Sequence, residues 1–344
     1  MSYTLPPEWE TQSAVLLTWP HDKTDWAPIL PDIENVYIQL ASHIAERQLL
    51  VVACHSSDLK NHVASLLESN NVNTNNARLF IAPCNDTWAR DHGPITLLSE
   101  KREPKLLDFT FNAWGAKYHA NLDNEINGHL FKQPFFDAAL TQKNDLILEG
   151  GSIESDGAGT LMTTSICLLN QNRNAHLSKQ EIEEQLLTSL GMKQVLWIDH
   201  GHLAGDDTDA HVDTLARFAP EGIVYVQCND KTESHYAELC NMEKQLESFE
   251  NTSGERYRLF PLPMPSPISN EDDELLPATY ANYLIINRAV LVPTYNDDND
   301  AAALSVIQKA HPNHDIIGID CNAVIQQFGS LHCLTMQIPA GVIV

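Results

Sequence analysis

The sequence predicts an α/β protein. Short apolar runs typical of strands alternate with longer stretches whose apolar residues recur at helical spacing. The strand–helix–strand order repeats along the chain, which indicates an internally repeated architecture. With 344 residues, of which 43% are hydrophobic, the chain is long enough for two domains or one large one.

The predicted elements follow in chain order. The first group comprises strand Val15–Trp19, helix Ile29–Gln48, strand Leu49–Cys54, helix Asp58–Ser69 and strand Arg78–Pro83. The later groups comprise helix Lys179–Leu190 and strand Gln194–Ile198; strand Gly222–Cys228, helix Glu233–Phe249 and strand Tyr257–Leu262; and strand Ala289–Pro293, helix Ala301–Ala310 and strand Ile316–Ile319. The proline-rich stretch Phe260–Pro267 and the acidic run Glu271–Glu274 predict a long surface loop, because the alternation resumes unchanged after them.

Charge and cysteine usage exclude several classes of protein. The formal net charge is −25, so the protein attracts cations and lacks the excess of lysine and arginine that is typical of a nucleic-acid binder. No apolar run approaches the ~18 residues of a membrane helix, and the N-terminus lacks the pattern of a secretory signal. Seven scattered cysteines without a C-x-x-C pair argue against a disulfide framework and a zinc cage. We therefore expect a cytoplasmic protein that binds neither nucleic acid nor membrane.

Charged residues lie beside Gly, Trp or His in four segments at the edges of apolar runs. These segments are Trp88–Pro94, Leu148–Ser152, Asp206–Asp213 and Gly329–Thr335. They span most of the chain, so their convergence would mean one domain built around one site.

In the third segment, Asp209, His211 and Asp213 alternate. On a strand they would share one face and could meet one ion or one substrate. The spacing resembles a motif of the manganese ureohydrolases, but the other metal-binding stretches of those enzymes are absent, so a two-metal site is disfavoured.

Cys333 lies in the β-prone run Leu331–Pro339, where a lone cysteine is usually a small buried hydrophobe. As a nucleophile it would need a base. His211 and His332 are candidates, and His332 is the weaker because neighbouring strand residues point to opposite faces.

The remaining candidates each have a structural alternative. Glu149 either ends a strand or is exposed by the two glycines after it, and Asp91 either forms a surface pair with Arg90 or belongs to a site. Trp88 and Trp114 are equally compatible with a core.

Taken together, the segments resemble the agmatine deiminase family, relatives of the bacterial peptidylarginine deiminases in the guanidine-modifying pentein superfamily. The matching stretches include WARDHGPI at 88–95, WGAKY at 114–118, LEGGSIESDGAGTLMTT at 148–164, CLLNQNRN at 167–174, DDTDAHVDTLARF at 206–218 and LHCLTMQIP at 331–339. The likeness covers nearly the whole chain.

The resemblance implies a five-bladed, pseudo-symmetric α/β propeller of ββαβ units in a single catalytic domain over residues 1–344. It also implies a cytoplasmic homodimer without metal or organic cofactor. By resemblance, Cys333 is the nucleophile, His211 the general acid and base, and Glu149 its supporting carboxylate. Asp91 and Asp213 would grip the guanidinium of the substrate, with Trp88 and Trp114 beside it.

The resemblance predicts hydrolysis of agmatine to N-carbamoylputrescine and ammonia, in putrescine biosynthesis. Asp207 stands where the family usually has a glutamate near the substrate amine, and its side chain is one methylene shorter, so it extends less far toward that amine. Residues Ala116, Ala210, Phe328 and Ser330 stand where the family is usually glycine-rich.

Other functions stay open at this stage. They are deimination of free or peptidyl arginine, transfer of the amidino group to an amine, the manganese ureohydrolase reaction and a catalytically inactive binding module. Retention of all five catalytic residues disfavours the last.

Overall fold

Five mixed β-sheets form the framework of the protein in a computed structural model, which describes residues 2–136 and 140–343. Each sheet combines antiparallel with parallel pairing. In four of them the chain order is strand, antiparallel strand, helical segment and parallel strand. The alternation predicted from the sequence is therefore confirmed as a mixed α/β fold.

The sheets follow one another along the chain, apart from the first. The first contains Thr335–Pro339, Gln12–Thr18, Leu49–Cys54 and Ala77–Ile81, in that spatial order. The second contains Tyr3–Thr4, Ile95–Ser99, Pro104–Thr110 and Thr141–Ile147. The third contains Gln194–Ile198, Thr160–Thr164 and Ile153–Ser155, and the fourth Ala216–Ala219, Gly222–Val226 and Leu259–Leu262. The fifth contains Leu284–Ile286, Ala289–Thr294 and Asp315–Asp320, and a small hairpin pairs Ile268–Ser269 with Leu275–Leu276.

The helices connect or flank these sheets. The longer ones are Leu30–Ala45, Ser57–Ser69, Lys179–Leu190, Tyr236–Ser248 and Asp300–Ala310, and the short ones are Ala89–His92, Ala113–Ala116, Ile126–Leu130 and Ser165–Leu168. No helix of the described ranges is long and apolar enough to cross a membrane.

Local sequence explains why these elements form where they do. Leu49–Cys54 is apolar throughout because it pairs on both edges and is buried on nearly its whole length. Helix Lys179–Leu190 starts with a capping box between Ser178 and Glu181 and ends at Gly191, whose φ of +66° is readily adopted by glycine.

The predicted long elements match closely, whereas several hairpin strands were not predicted. Helix 179–190 and strands 49–54 and 194–198 have the predicted bounds. Strands Ile95–Ser99 and Pro104–Thr110 were not predicted from the sequence. The second of them begins at a proline and is interrupted by polar residues, so its sequence lacks a strand pattern. The acidic run 271–274 forms the exposed turn of the small hairpin, which confirms that part of the predicted surface loop. The loop prediction is wrong for residues 260–262, which belong to the paired strand Leu259–Leu262.

Candidate active site

One pocket collects most of the predicted site residues. It is lined by Asp25, Asp86, Trp88, Asp91, Trp114, Tyr118, Asp207, Thr208, Thr214, Gln327, Phe328, Gly329 and Cys333. Glu149, His211 and Asp213 are fully buried and are absent from this lining. The four segments singled out in the sequence therefore do converge, with some groups on the pocket surface and others behind it.

Gly151 marks the point where three of the predicted residues meet. A Cβ atom on Gly151 would lie 2.6 Å from Nδ1 of His211 and 2.9 Å from Oδ2 of Asp213 and Oδ1 of Asp91. Glycine is required here by close approach, which explains the Gly-Gly pair after Glu149.

Asp91 is held in the short helix Ala89–His92. Its Oδ2 accepts a hydrogen bond from Nε1 of Trp114 and its Oδ1 accepts one from the amide of Gly151, both at 2.9 Å. Burial raises the pKa of Asp91 to about 8, with further contributions from Asp213 and Glu149. The alternative interpretation, a surface ion pair between Asp91 and Arg90, is wrong, because Arg90 is buried and binds Glu8 and Gln337.

Residues 209–213 do not form the strand on which the alignment of Asp209, His211 and Asp213 depended. Asp209 and Ala210 have φ values of +65° and +61°, and His211 directly precedes a 3-10 turn over Val212–Thr214. The carboxylate of Asp206 fixes this turn by accepting hydrogen bonds from the Thr208 hydroxyl and the Ala210 amide, each at 2.6 Å.

The turn separates the three polar groups that a strand would have aligned. Asp209 accepts hydrogen bonds from Arg173 at 2.7 Å and Lys117 at 3.1 Å, whereas His211 and Asp213 approach Gly151. The alignment on which the manganese interpretation depended is therefore not formed.

Glu149 is fully buried against Arg173. Nε of Arg173 donates to both Glu149 oxygens, at 2.9 and 3.0 Å. Burial raises the pKa of the Glu149 carboxyl, and the charge and hydrogen bond of Arg173 oppose this rise. Sequence reasoning missed Arg173, for which the only signal was its place in the stretch 167–174.

His211 lies close to Glu149 and to the thiol of Cys167, with one ligand atom from each within 4.8 Å of the others. Neither of its ring nitrogens has a hydrogen-bond partner among the described residues. Burial lowers the pKa of His211 to about 3, although the charge of Asp213 raises it. This shift favours a neutral imidazole, whose Nδ1 lies 3.7 Å from Oδ1 of Asp91, beyond hydrogen-bond distance.

Cys333 lies in a turn that precedes strand Thr335–Pro339, so the predicted run from Leu331 is extended only in its second half. Its amide donates to Oδ1 of Asn282 at 3.2 Å, and its Sγ lies 3.8 Å from Oδ2 of Asp213. Burial and then the charges of Asp213 and Asp91 raise the pKa of the thiol well above its usual value.

The contacts of His332 argue against a role as the base for Cys333. Its Nδ1 lies 2.7 Å from Oδ2 of Asp213 and its Nε2 lies 2.7 Å from Oε1 of Glu8, so both nitrogens are engaged. Burial raises the pKa of Asp213, but the hydrogen bond and charge of His332 outweigh this effect and bring it below its ordinary value.

The remaining pocket wall is acidic and aromatic. Oδ2 of Asp207 accepts a hydrogen bond from the Tyr118 hydroxyl at 2.6 Å, a contact that the sequence did not predict. Asp25 and Asp86 line the same pocket, and burial raises the pKa of Asp86 to about 6. Among the described lining residues none is lysine or arginine.

Three of the residues that stand in place of glycine have left-handed backbone conformations. Ala116, Ala210 and Phe328 have φ values of +63°, +61° and +63°. A side chain there costs roughly 1–2 kcal/mol relative to right-handed backbone, so the glycine-rich character expected at these positions has a conformational reason.

Comparison with known proteins agrees with this geometry. A family model described as Porphyromonas-type peptidyl-arginine deiminase matches residues 4–339. A Vibrio parahaemolyticus protein provisionally named agmatine deiminase is 34% identical over 357 residues, covering 98% of this chain and 97% of the relative.

Solved structures show the same likeness. A C. jejuni agmatine deiminase variant with substrate bound has a TM-score of 0.89 at 40% identity, covering 99% of this chain and 97% of that one. A structure from Porphyromonas gingivalis, provisionally named arginine deiminase, has a TM-score of 0.91 at 45% identity and covers 99% and 100% of the two chains. An amidinotransferase from Microseira wollei has a TM-score of 0.51 at 11% identity, over 99% of this chain and 98% of that one, and so shares the fold alone.

Proposed function

Because the chain belongs to the family of Porphyromonas-type peptidyl-arginine deiminases, we propose that it hydrolyses agmatine to N-carbamoylputrescine and ammonia. The observation that carries this proposal is the pocket itself. A cysteine thiol and a carboxylate face it, a second carboxylate and a free imidazole are buried beside them, and its outer wall is acidic.

Recognition follows from the charges. Asp91 and Asp213 accept hydrogen bonds from the planar guanidinium, which is the cation that carboxylate pairs hold best. Trp88 and Trp114 present aromatic surface beside it. The distal ammonium of agmatine meets Asp207, which Tyr118 orients.

A bound guanidinium offsets the repulsion between the buried acidic groups of the site. Asp91 has a pKa of about 8 because it is buried near Asp213 and Glu149, and Cys333 is a thiol for a related reason. A guanidinium between these groups favours carboxylate at Asp91 and thiolate at Cys333. Neutral His211 takes the proton that the thiol releases.

The reaction then proceeds in two halves. The thiolate of Cys333 adds to the guanidinium carbon, and the tetrahedral adduct expels ammonia after His211 returns its proton to the leaving nitrogen. This leaves an S-alkylthiouronium. Water adds to the same carbon, His211 takes a proton from it, and collapse breaks the C–S bond to give the ureido product and free Cys333. Glu149 supports His211 in both halves.

Arginine, free or in a peptide, is the second candidate, favoured by the family's description and by the P. gingivalis structure. An arginine α-carboxylate would face Asp25, Asp86 and Asp207, and the ammonium of Lys117, which lies 3.4 Å from Asp207, is already shared with Asp209 at 3.1 Å. This repulsion favours agmatine.

The broader architecture and setting are part of the same proposal. The five mixed sheets support a five-bladed propeller of ββαβ units around one axis, as a single catalytic domain over residues 1–344. We infer a cytoplasmic homodimer that acts in putrescine synthesis and needs no metal or organic cofactor. Light scattering after gel filtration tests the dimer.

The deciding experiment treats the protein with EDTA, adds agmatine and identifies the products. N-carbamoylputrescine and ammonia are expected, and Cys333→Ser should abolish turnover. Urea and putrescine, lost with EDTA and restored by manganese, would refute the cysteine mechanism. Faster turnover of arginine or of a peptidyl arginine than of agmatine would establish the second candidate instead.

A further inference from the structure

Glu8 lies far from the pocket in sequence but is linked to it through buried groups. Its Oε1 is 2.9 Å from Nη1 of Arg90 and 2.7 Å from Nε2 of His332. Its Oε2 accepts from Arg217 at 2.5 Å and from Gln337 at 3.1 Å. One carboxylate therefore ties the N-terminal segment to four side chains from three other parts of the chain.

The contact to His332 continues directly to Asp213. Both imidazole nitrogens lie 2.7 Å from a carboxylate oxygen, and a neutral imidazole has only one N–H. Both contacts are hydrogen bonds only when Glu8, His332 and Asp213 hold two protons between them. Burial and the guanidiniums of Arg217 and Arg90 lower the pKa of His332, so the carboxylate of Glu8 is needed to offset them.

Asp213 is surrounded by other ionisable groups. The groups that face it are Asp91, Asp206, His211, Arg217, His332 and Cys333. Among them, His332 alone makes a hydrogen bond at 2.7 Å to the oxygen that also lies 3.8 Å from Sγ of Cys333. This contact distinguishes Asp213 from Asp91, whose donors are Trp114 and a backbone amide.

We propose that Glu8 and His332 are positioning residues for the reaction, because Glu8 keeps His332 as the donor that orients Asp213 and holds it as a carboxylate toward the substrate guanidinium. The inference rests on the proposed deiminase function. It assigns to an N-terminal glutamate a role in substrate affinity, although Glu8 does not line the substrate pocket.

A second cavity gives a way to test this chain of contacts. It has a volume of about 70 Å³, opens to solvent and is lined by Glu8, Arg90, Glu154 and Gln337 among others, but by none of the substrate-pocket residues. A small carboxylate such as formate can enter it and replace a missing Glu8 side chain.

The first measurement compares Glu8→Gln with the wild-type protein. An amide at position 8 does not stabilise a second proton on His332, so Asp213 keeps a neutral imidazole N–H donor in place of an imidazolium. We expect KM for agmatine to rise about 5- to 10-fold, because a charge-assisted hydrogen bond is roughly twice as strong as a neutral one, with a smaller change in kcat. Asp91, with a pKa of about 8, sets where the acid limb of kcat/KM begins, and a more easily protonated Asp213 should make that limb steeper at low pH by adding a second ionisation. An unchanged KM and acid limb would overturn the proposal.

Two further variants separate positioning from loss of structure. Formate should raise the activity of the Glu8→Ala protein at least tenfold, and chloride at equal ionic strength should not. In a His332→Asn background, whose amide reaches Asp213 but not Glu8, the Glu8→Gln change should have little additional effect. Full additivity, or no rescue by formate, would contradict the proposed chain.

Controls distinguish this failure from failure of the proposed function. Glu154→Gln disturbs the same buried Arg217 and removes no hydrogen bond of His332, although Glu154 lies within 4.8 Å of it, so it should lower thermal stability and change the acid limb less than Glu8→Gln does. Glu10→Gln, which pairs with Arg102 away from His332, should change neither. If the wild-type protein itself does not turn over agmatine, the proposed function fails, whereas a wild-type rate that Glu8→Gln retains contradicts only the positioning role.

Discussion

Replacing Gly151 by alanine tests how closely the site groups are packed. The added Cβ would lie 2.6 Å from Nδ1 of His211, and an ordinary contact needs about 3.4 Å, so the imidazole must retreat by about 0.8 Å. Asp91 and Asp213, at 2.9 Å, must each retreat by about 0.5 Å. A misplacement near 1 Å costs on the order of 10²-fold in rate. We therefore expect kcat/KM for agmatine to fall about 100-fold.

The assay follows ammonia release over a range of agmatine concentrations, with the melting temperature measured in parallel. Gly128→Ala is the matched control, because a Cβ on Gly128 meets nothing closer than 3.8 Å, and it should keep both activity and stability. A Gly151→Ala protein within threefold of wild-type kcat/KM would refute the convergence of His211, Asp91 and Asp213 on this position. Loss of the fold in circular dichroism would point to a structural cause instead.

Three other predictions follow from the same geometry. Asp91 has a pKa of about 8 and the guanidinium binds its ionised form, so agmatine binding to the Cys333→Ser protein at pH 7 should release about one proton per site. Calorimetry in buffers of different ionisation enthalpy measures this release, and its absence would contradict the role of Asp91. Asp207→Asn should raise KM for agmatine by about tenfold, as for a half-buried ion pair, without affecting a guanidine that lacks the distal amine, and an equal effect on both substrates would argue against this role. Ala116→Gly should stabilise the protein by about 0.5–1 kcal/mol, because it relieves the strain of a left-handed backbone and part of this gain is offset by the greater freedom of glycine in the unfolded chain. A lower unfolding midpoint in urea would show instead that the alanine methyl packs favourably.

The sequence was most informative where the signal is local. Leu49–Cys54 and Lys179–Leu190 could be predicted to the residue, because one is continuously apolar and the other carries its own capping signals. The turn at Asp209 and Ala210 could not be predicted, since the hydrogen bonds that the Asp206 carboxylate accepts override an alternating pattern that is equally typical of a strand.

Contacts between distant segments left no local signal. Arg173 binds Glu149 across 24 positions, and Glu8 binds His332 across 324. The composition of each segment gives the chemical type of the group but not its partner. The resemblance supplied the identities of Cys333, His211 and Asp213, while the buried network behind them emerged only from the three-dimensional arrangement.

The first sheet has a consequence for how the protein folds. Leu17 pairs with Thr335, so two strands that are 318 positions apart in the sequence lie side by side. Cys333 lies two residues before the strand that starts at Thr335. The other four large sheets pair strands that are mostly closer in sequence, whereas the nucleophile takes its place only when this distant pair has formed. Closure of the first sheet is therefore expected to be a slow step of folding, and the active site should form with it.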